Sequence, residues 1–307
     1  MVNRLKKALE ENDYIFNLSG LVDYMKASGV ITFDPDIMTD SVVYDPVQEK
    51  AFYKFHDIFL DFAKRINIPM IFYSNTWRFS YDRIKKTGVP LSINKDTINS
   101  FNKWNSGKSD LVLLAAQFAP AGDCYKPSEA LDADEAEIYH SWQIQELVET
   151  NIDYLVASTM PSVEETVGIS RIMEKYDMPY VISYVIDNSG KILDGTSICD
   201  AIYKIDSIAI KNPPIGYMVN CSYPSFFNVK NMDKYSLERF IAFKANASSK
   251  NISELDSCNE PQCDSINNWV AEMIDIHKKT NIKILSGCCG TNIEYLELLH
   301  KKLNGLP

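Results

Sequence analysis

Eight short runs of apolar residues, spread along the whole chain, constrain the fold more than any other feature. The runs are continuous rather than alternating and are rich in β-branched and aromatic residues, which is typical of strands covered on both faces in a parallel sheet. Segments with apolar residues at three-and-four spacing separate them and predict helices. The runs cover residues 14–19, 70–75, 111–118, 154–159, 180–186, 216–222, 240–247 and 282–289.

This alternation predicts an α/β fold, and eight repeats favour a closed (β/α)8 barrel (TIM barrel) over an open doubly wound sheet. A length of 307 residues suits one barrel domain over residues 1–307, with residues 1–13 as an N-terminal helical extension. In such barrels the functional residues lie at the C-terminal ends of the strands. The main helices are expected at 48–66, 134–150, 163–177, 196–206, 264–280 and 292–303.

Charge and composition exclude several classes of protein. A formal net charge of -10 argues against nucleic acid or an anionic membrane surface as the main partner. No stretch approaches the roughly 20 apolar residues of a membrane span, and no apolar segment follows the basic N-terminal residues as in a secretory signal. The seven cysteines are an odd number, which favours a reducing compartment. We therefore expect a cytoplasmic protein.

Three cysteines lie where the barrel prediction places chemistry. Cys221 ends one apolar run, and Cys288 and Cys289 end another, flanked by glycines that permit the bend needed to turn both side chains to one point. Three thiolates would leave the fourth tetrahedral position of zinc open for a thiol substrate, which zinc would deprotonate. Buried filler or a strained vicinal disulfide are the alternatives. Cys199 falls in a helical segment, and Cys124, Cys258 and Cys263 fall in polar loops.

The cysteine motifs resemble those of the homocysteine S-methyltransferase family. SGCCGT (286–291) is close to the family's GGCCGT, and VNC (219–221) is close to its GVNC. Weaker matches follow in the family's order from about residue 14 to 303: SNTW (74–77), QFAPAG (117–122), TMPS (159–162), DGT (194–196) and Asn246.

The resemblance implies a barrel, a Zn²⁺ ion on Cys221, Cys288 and Cys289, and methyl transfer from a small-molecule donor to a thiol acceptor. Donors in the family include S-methylmethionine, S-adenosylmethionine, betaine and methylfolates. The length of this chain leaves no room for folate or cobalamin domains and favours the first two. We predict that six residues at or next to strand ends bind substrate: Ser19, Gly20, Asn75, Ser158, Asn220 and Asn246.

Two positions depart from the family pattern. The acidic residue after the first strand appears here as Leu18, and the Glu of the family's ETIPS motif appears as Ser158. In the family these carboxylates help to hold the ammonium of homocysteine, which is costly to bury unpaired. Either the acceptor is a thiol without an ammonium group, or other carboxylates replace the missing ones. The candidates are Asp23, Glu164 and Glu165.

The remaining chemical groups give weaker signals. Trp77, Arg78, Phe118 and Tyr125 could line a site for a cationic donor, although aromatic residues near a barrel rim are more often packing. The strand-end asparagines could bind a substrate carboxylate, support the groups that hold the zinc ion, or simply cap turns. The four histidines fall in predicted helices outside the barrel, which argues against zinc or acid–base roles: His56, His140, His277 and His300.

We therefore predict a zinc-dependent S-methyltransferase, in which zinc activates the acceptor thiol and no separate general base is required. No HExxH, P-loop, GxGxxG or GxSxG motif indicates another chemistry. A non-catalytic zinc-binding or regulatory relative of the family is the alternative, and a metal-free barrel with buried cysteines is a third possibility.

Overall fold

A computed structural model describes residues 4–38, 42–251 and 263–306 of the chain. Cys258 and residues 1–3 of the expected N-terminal extension lie outside these ranges. Eight parallel strands form a closed barrel, each pairing with the next along the chain and the last with the first. The strands are β1 Ile15–Asn17, β2 Met70–Tyr73, β3 Val112–Phe118, β4 Tyr154–Met160, β5 Tyr180–Tyr184, β6 Gly216–Ser222, β7 Phe240–Ala245 and β8 Ile284–Gly287.

The closed barrel confirms the fold prediction and rules out the open sheet. Every predicted apolar run coincides with one strand; β4 extends one residue beyond its run, and several other strands end earlier than theirs. The run at 282–289 yields only Ile284–Gly287, so the adjacent cysteines follow the strand as a turn. The glycines flanking the pair therefore shape a turn rather than a bent strand.

Eleven helices lie within the described residues, and the six predicted from periodicity are among them. Four short helices were not predicted, because their segments are too short or too polar to show the helical period clearly: α2, α4, α5 and α9. The helices are α1 Arg4–Glu11, α2 Leu21–Ser28, α3 Pro46–Ile66, α4 Tyr81–Thr87, α5 Ile93–Asn105, α6 Ala133–Val148, α7 Val163–Met173, α8 Ile198–Ile208, α9 Lys234–Arg239, α10 Ile266–Thr280 and α11 Ile293–Leu303. In the part of the chain that the structure describes, none of them is long and apolar enough to cross a membrane.

The continuous apolar runs are explained by burial on both faces of the strands. One set of strand side chains fills the barrel interior, with Ile71, Leu113 and Met218 among its members. Leu5 and Ala8 of α1 belong to the same cluster, so the N-terminal helix covers one end of the barrel. The alternate strand residues pack outward against the helices in a second, larger cluster. The opposite end of the barrel interior, which α1 does not cover, is therefore open for a functional site.

The close contact between α6 and α7 depends on Gly168. A Cβ atom placed on Gly168 would lie 2.4 Å from the Ala133 carbonyl oxygen and 2.7 Å from the Ala136 Cβ. Only a glycine lets α7 approach α6 this closely, and α7 directly follows β4, whose end contributes to the site described below.

We expect Gly168→Ala to lower the free energy of unfolding by about 1–2 kcal/mol, because steric overlap outweighs the gain of about 1 kcal/mol in helix propensity. Chemical denaturation would measure the loss. Ser207→Ala, on the exposed side of α8, is the control and should change stability by less than about 0.5 kcal/mol. An unchanged Gly168→Ala midpoint would contradict this account of the helix contact.

Candidate active site

A cavity of about 230 Å³ opens at the C-terminal end of the barrel. Residues at or beyond the ends of six strands, β1 to β4, β6 and β8, line it, together with Lys244 of β7 and the first turns of α2. This is where barrels of this architecture place their functional groups, because the loops after the strands converge there. All three cysteines predicted as ligands lie in its wall.

The sulfur atoms of Cys221, Cys288 and Cys289 lie within 4.8 Å of one another. Cys221 and Cys288 approach most closely, at 3.0 Å between their sulfur atoms. Neither Cys288 nor Cys289 forms a disulfide, which rules out the vicinal disulfide considered from the sequence. Cys221 is buried, Cys288 is partly buried and Cys289 is exposed, so the cluster is anchored in the protein and open on the cavity side.

A β-bulge turns Cys221 toward the other two cysteines. The pairing of β6 with β7 shifts register between Asn220 and Ser222, and Cys221 takes the left-handed conformation with φ of 53°. A bulge adds one residue to a strand and redirects its side chain. This explains how Asn220 and Cys221, which are adjacent on one strand, both line the cavity.

The Asn220 amide joins the ends of β4 and β6. Its Nδ2 donates to Thr159 Oγ1 at 2.7 Å and to Cys221 Sγ at 3.1 Å. Its Oδ1 accepts from the Thr159 backbone N–H at 3.1 Å and from the Ser183 hydroxyl. Thr159 has a φ of 63°, an unusual value for a β-branched residue, beside a second register shift in the barrel. Asn220 therefore holds a strained strand end and orients the Cys221 sulfur.

The turn carrying Cys288 and Cys289 is fixed by the backbone and by Asn246. The Cys288 N–H donates to the Ala245 carbonyl at 2.7 Å, and the Cys289 N–H donates to Asn246 Oδ1 at 3.3 Å. Asn246 Nδ2 donates in turn to the Cys221 carbonyl at 3.0 Å. One side chain thus links both cysteine-bearing segments, and it positions the ligands from behind.

Two glycines permit the close packing of this turn. A Cβ atom on Gly20 would lie 2.0 Å from the Thr291 carbonyl oxygen, and one on Gly287 would lie 2.1 Å from Thr291 Oγ1. Gly20 also has a φ of 67°. The Gly290 N–H donates to Asp23 Oδ2 at 2.7 Å, which ties the turn to α2.

The three thiols differ in the direction of their pKa shifts. Hydrogen bonds from the Cys221 and Cys289 thiols, with a contribution from the Lys244 charge, lower the pKa of Cys288 well below the usual value for a thiol. The contact with Cys288 raises the pKa of Cys221, and the contacts with Cys221 and Cys288 raise the pKa of Cys289. Cys288 is therefore the group of the three that loses its proton first.

The neighbouring side chains stay protonated. The Cys221 charge and burial raise the pKa of Tyr125, and burial raises that of Cys124 to about 12.

Four of the six predicted substrate-binding residues line the cavity: Gly20, Asn75, Ser158 and Asn220. Ser19 and Asn246 do not. Ser19 is fully buried, and its hydroxyl accepts from the Gly287 N–H at 3.0 Å. Both therefore support the cysteine turn instead of facing the cavity.

The two positions that depart from the family pattern face the cavity. Leu18 and Ser158 are buried and line its wall, so neither position supplies a carboxylate there. Of the suggested replacements, only Asp23 lines the cavity. Glu164 pairs with Lys204 on the surface, and Glu165 is buried against His140, 2.8 Å away.

Of the aromatic and cationic residues considered for a donor site, Trp77 and Tyr125 line the cavity. Phe118 is buried and packs against His140, and the Arg78 Nε donates to the Asp36 carbonyl at 3.0 Å. The four histidines lie in α3, α6, α10 and α11, as predicted, and none lines the cavity.

Sequence reasoning missed two cavity residues of chemical interest, Lys244 and Cys124. The signal for Lys244 was a charged residue inside the apolar run at 240–247. Cys124 carried no such signal, because its loop is polar and its approach to the cavity depends on the tertiary fold.

A family model described as homocysteine S-methyltransferase matches residues 24–303. The chain belongs to this family. It is therefore an S-methyltransferase that acts on a small thiol acceptor and a methyl donor, and the resemblance in the cysteine motifs is confirmed. No curated protein sequence matches it.

Solved structures of the homocysteine methyltransferase MmuM from Escherichia coli share the fold of this homocysteine S-methyltransferase family member. The metallated form has 13% identity and a TM-score of 0.72, covering 97% of this chain and 99% of that one. The oxidized form has 13% identity and a TM-score of 0.67, covering 96% and 97%. At this identity the similarity supports the barrel alone.

The cysteine cluster of this family member suits a thiophilic metal ion. Zinc–sulfur bonds of about 2.3 Å in a tetrahedron place sulfur atoms about 3.8 Å apart, which falls within the observed spread. Three protein thiols with a cavity on one side correspond to a site with an open position.

We expect iodoacetamide to modify Cys288 faster than Cys263 at pH 7 in chelator-treated protein, by about tenfold or more. The lowered pKa of Cys288 keeps its thiolate populated below pH 9, whereas burial and nearby carboxylates raise the pKa of Cys263. Peptide mass mapping over time and pH would measure both rates. Cys263 is the more exposed of the two, so faster labelling of Cys263 at pH 7 would contradict the assignment.

Proposed function

We propose that this protein is a zinc-dependent S-methyltransferase that uses a small sulfonium donor, S-methylmethionine or S-adenosylmethionine. The acceptor is homocysteine or a related thiol, and the product is methionine or another thioether. The convergence of three cysteine sulfur atoms within 4.8 Å, in the wall of a cavity at the C-terminal end of the barrel, carries this proposal. A reducing cytoplasm would keep these thiols available.

The zinc ion would be held by Cys221, Cys288 and Cys289, since thiolates are preferred zinc ligands. The three cysteines lie at the ends of two strands, β6 and β8, which fix their positions. The E. coli relative of known structure has a metallated form, which supports a metal here. When bound, zinc lowers the pKa of a coordinated acceptor thiol, so that the acceptor is present as a thiolate at neutral pH.

The chain's own residues then orient the reactants. The acceptor sulfur gives an electron pair to the methyl carbon, while the bond between that carbon and the donor sulfur breaks and a neutral thioether leaves. Trp77 and Tyr125 face the cavity, and aromatic faces attract a sulfonium cation. Holding both reactants in line lowers the entropic part of the barrier.

Methyl transfer from S-methylmethionine and S-adenosylmethionine to a panel of small thiols, followed by mass spectrometry, tests the function. We expect Cys221→Ser and Cys288→Ser to lose bound zinc and activity together, because two ligands hold the ion poorly. Cys199→Ser, on α8 away from the cavity, is the matched control and should keep both.

Elemental analysis before the assay separates the outcomes. Zinc retained without methylation of any thiol would support the non-catalytic alternative and contradict the proposal. Activity that persists in Cys288→Ser would show that the cluster is not the reaction centre.

Asn220→Ala should weaken zinc affinity about 10- to 100-fold, the usual cost of removing a side chain that orients a metal ligand. The variant loses the hydrogen bond to Cys221 Sγ and both contacts to Thr159. Competition with a chromophoric chelator measures the change. Gln117→Ala, which also alters the cavity wall but removes a hydrogen bond to the Ser74 carbonyl, should bind zinc normally. Equal affinities in the two variants would refute the orienting role.

A further inference from the structure

Lys244 gives the cavity an unusual charge pattern for a site that takes an amino-acid thiol. Apart from the cysteines and the two tyrosines, Tyr73 and Tyr125, Lys244 and Asp23 are the ionisable side chains among the described residues of the cavity wall. The carboxylate positions expected from the family are the neutral Leu18 and Ser158. The wall therefore offers one ammonium group and one carboxylate.

The Lys244 ammonium group has no carboxylate partner among the described residues, and its charge favours the Cys288 thiolate. The side chain starts on β7 and places its Nζ 4.4 Å from the centre of the Tyr73 ring on β2. Tyr73 is fixed by a hydrogen bond of 2.8 Å from Asn17 Nδ2. Within the described parts of the chain, no carboxylate lies within 4.0 Å of this ammonium group. A partly buried cation that packs on a ring face with no carboxylate beside it can pair with an anion supplied by a ligand.

The Asp23 carboxylate is already engaged. Its Oδ2 accepts the Gly290 N–H at 2.7 Å and so holds the turn after Cys289. A carboxylate that fixes the cysteine turn is less available to pair with a ligand ammonium. The two groups are therefore not equivalent, because Asp23 already accepts a backbone hydrogen bond whereas Lys244 has no carboxylate partner among the described residues.

Building on the function proposed above, we propose that the acceptor is a thiol bearing an anionic group, a carboxylate or sulfonate, which Lys244 binds. Lys244 is then a specificity-determining residue, and an amino group on the acceptor contributes little. The cysteine cluster and Lys244 line the same cavity, whose volume of about 230 Å³ suits a short thiol.

Three probes of equal length test the inference: homocysteine, 4-mercaptobutyrate, which lacks its amino group, and 3-aminopropane-1-thiol, which lacks its carboxylate. We expect kcat/KM for 4-mercaptobutyrate to equal or exceed that for homocysteine, and both to exceed that for the amine about 10- to 100-fold. Lys244→Glu should reverse the order of the acid and the amine.

The matched variants separate recognition from general damage. Lys244→Met should lose about 10- to 100-fold more kcat/KM with 4-mercaptobutyrate than with neutral 3-mercaptopropan-1-ol, whereas Lys244→Arg should restore the preference. Lys230→Met, an exposed lysine outside the cavity, controls for net charge. Titration calorimetry of the thioether 4-(methylthio)butyrate gives a second readout, in which tighter binding to wild type than to Lys244→Met supports the proposal.

The possible failures are distinguishable. Methylation of none of the thiols would overturn the proposed function itself. Methylation of all three at similar rates, or a Lys244→Met loss equal for charged and neutral thiols, would overturn the role of Lys244 alone and leave the methyltransferase proposal standing.

Discussion

The convergence of β6 and β8 on one point depends on the hydrogen-bonded register of the strand between them. Asn220 pairs with Lys244, and Lys244 pairs with Ser286, so that β6, β7 and β8 end at nearly the same level. Cys221 and Cys288 become neighbours through this register, although 67 residues separate them in the sequence. A slip of one residue would turn each strand's side chains to the opposite face, so closure of the barrel and assembly of the cluster are one event.

Local strain is concentrated at the same strand ends. Thr159 and Cys221 both have positive φ, and each sits at a break in the strand register. Such residues cost of order 1–3 kcal/mol each and persist only where the surroundings fix them. The Asn220 amide provides that support through the Thr159 backbone and the Cys221 sulfur. The strain at Thr159 and Cys221 therefore lowers the stability of the fold but directs the Cys221 thiol into the cavity.

The sequence predicted most of the barrel because buried parallel strands are continuous apolar runs, which stand out clearly from the more polar segments between them. It also predicted the three cysteines, since each lies at a strand end. It did not predict the supporting role of Ser19, because a bulge or turn decides which way a strand-end side chain points, and it left open whether Asn246 binds substrate or supports the cysteines. Short polar helices such as α4 lacked a visible period. The position of Lys244 in the cavity was not predicted, because this residue lies within a run assigned to a buried apolar strand.

The charge balance of the site gives the departures from the family pattern a common physical reason. With zinc bound as proposed, three thiolates and one divalent ion would carry a net charge of about −1, and a fourth thiolate from the acceptor would make this about −2. A carboxylate at the position of Leu18 or Ser158 would add to this negative charge, whereas Lys244 opposes it. Under the proposed function, neutral residues at two points and a cation at a third would therefore favour acceptors whose second charged group is negative. This relation between Lys244 and the two neutral positions can be read only from the folded barrel, since the three residues lie on β4, β7 and the segment after β1.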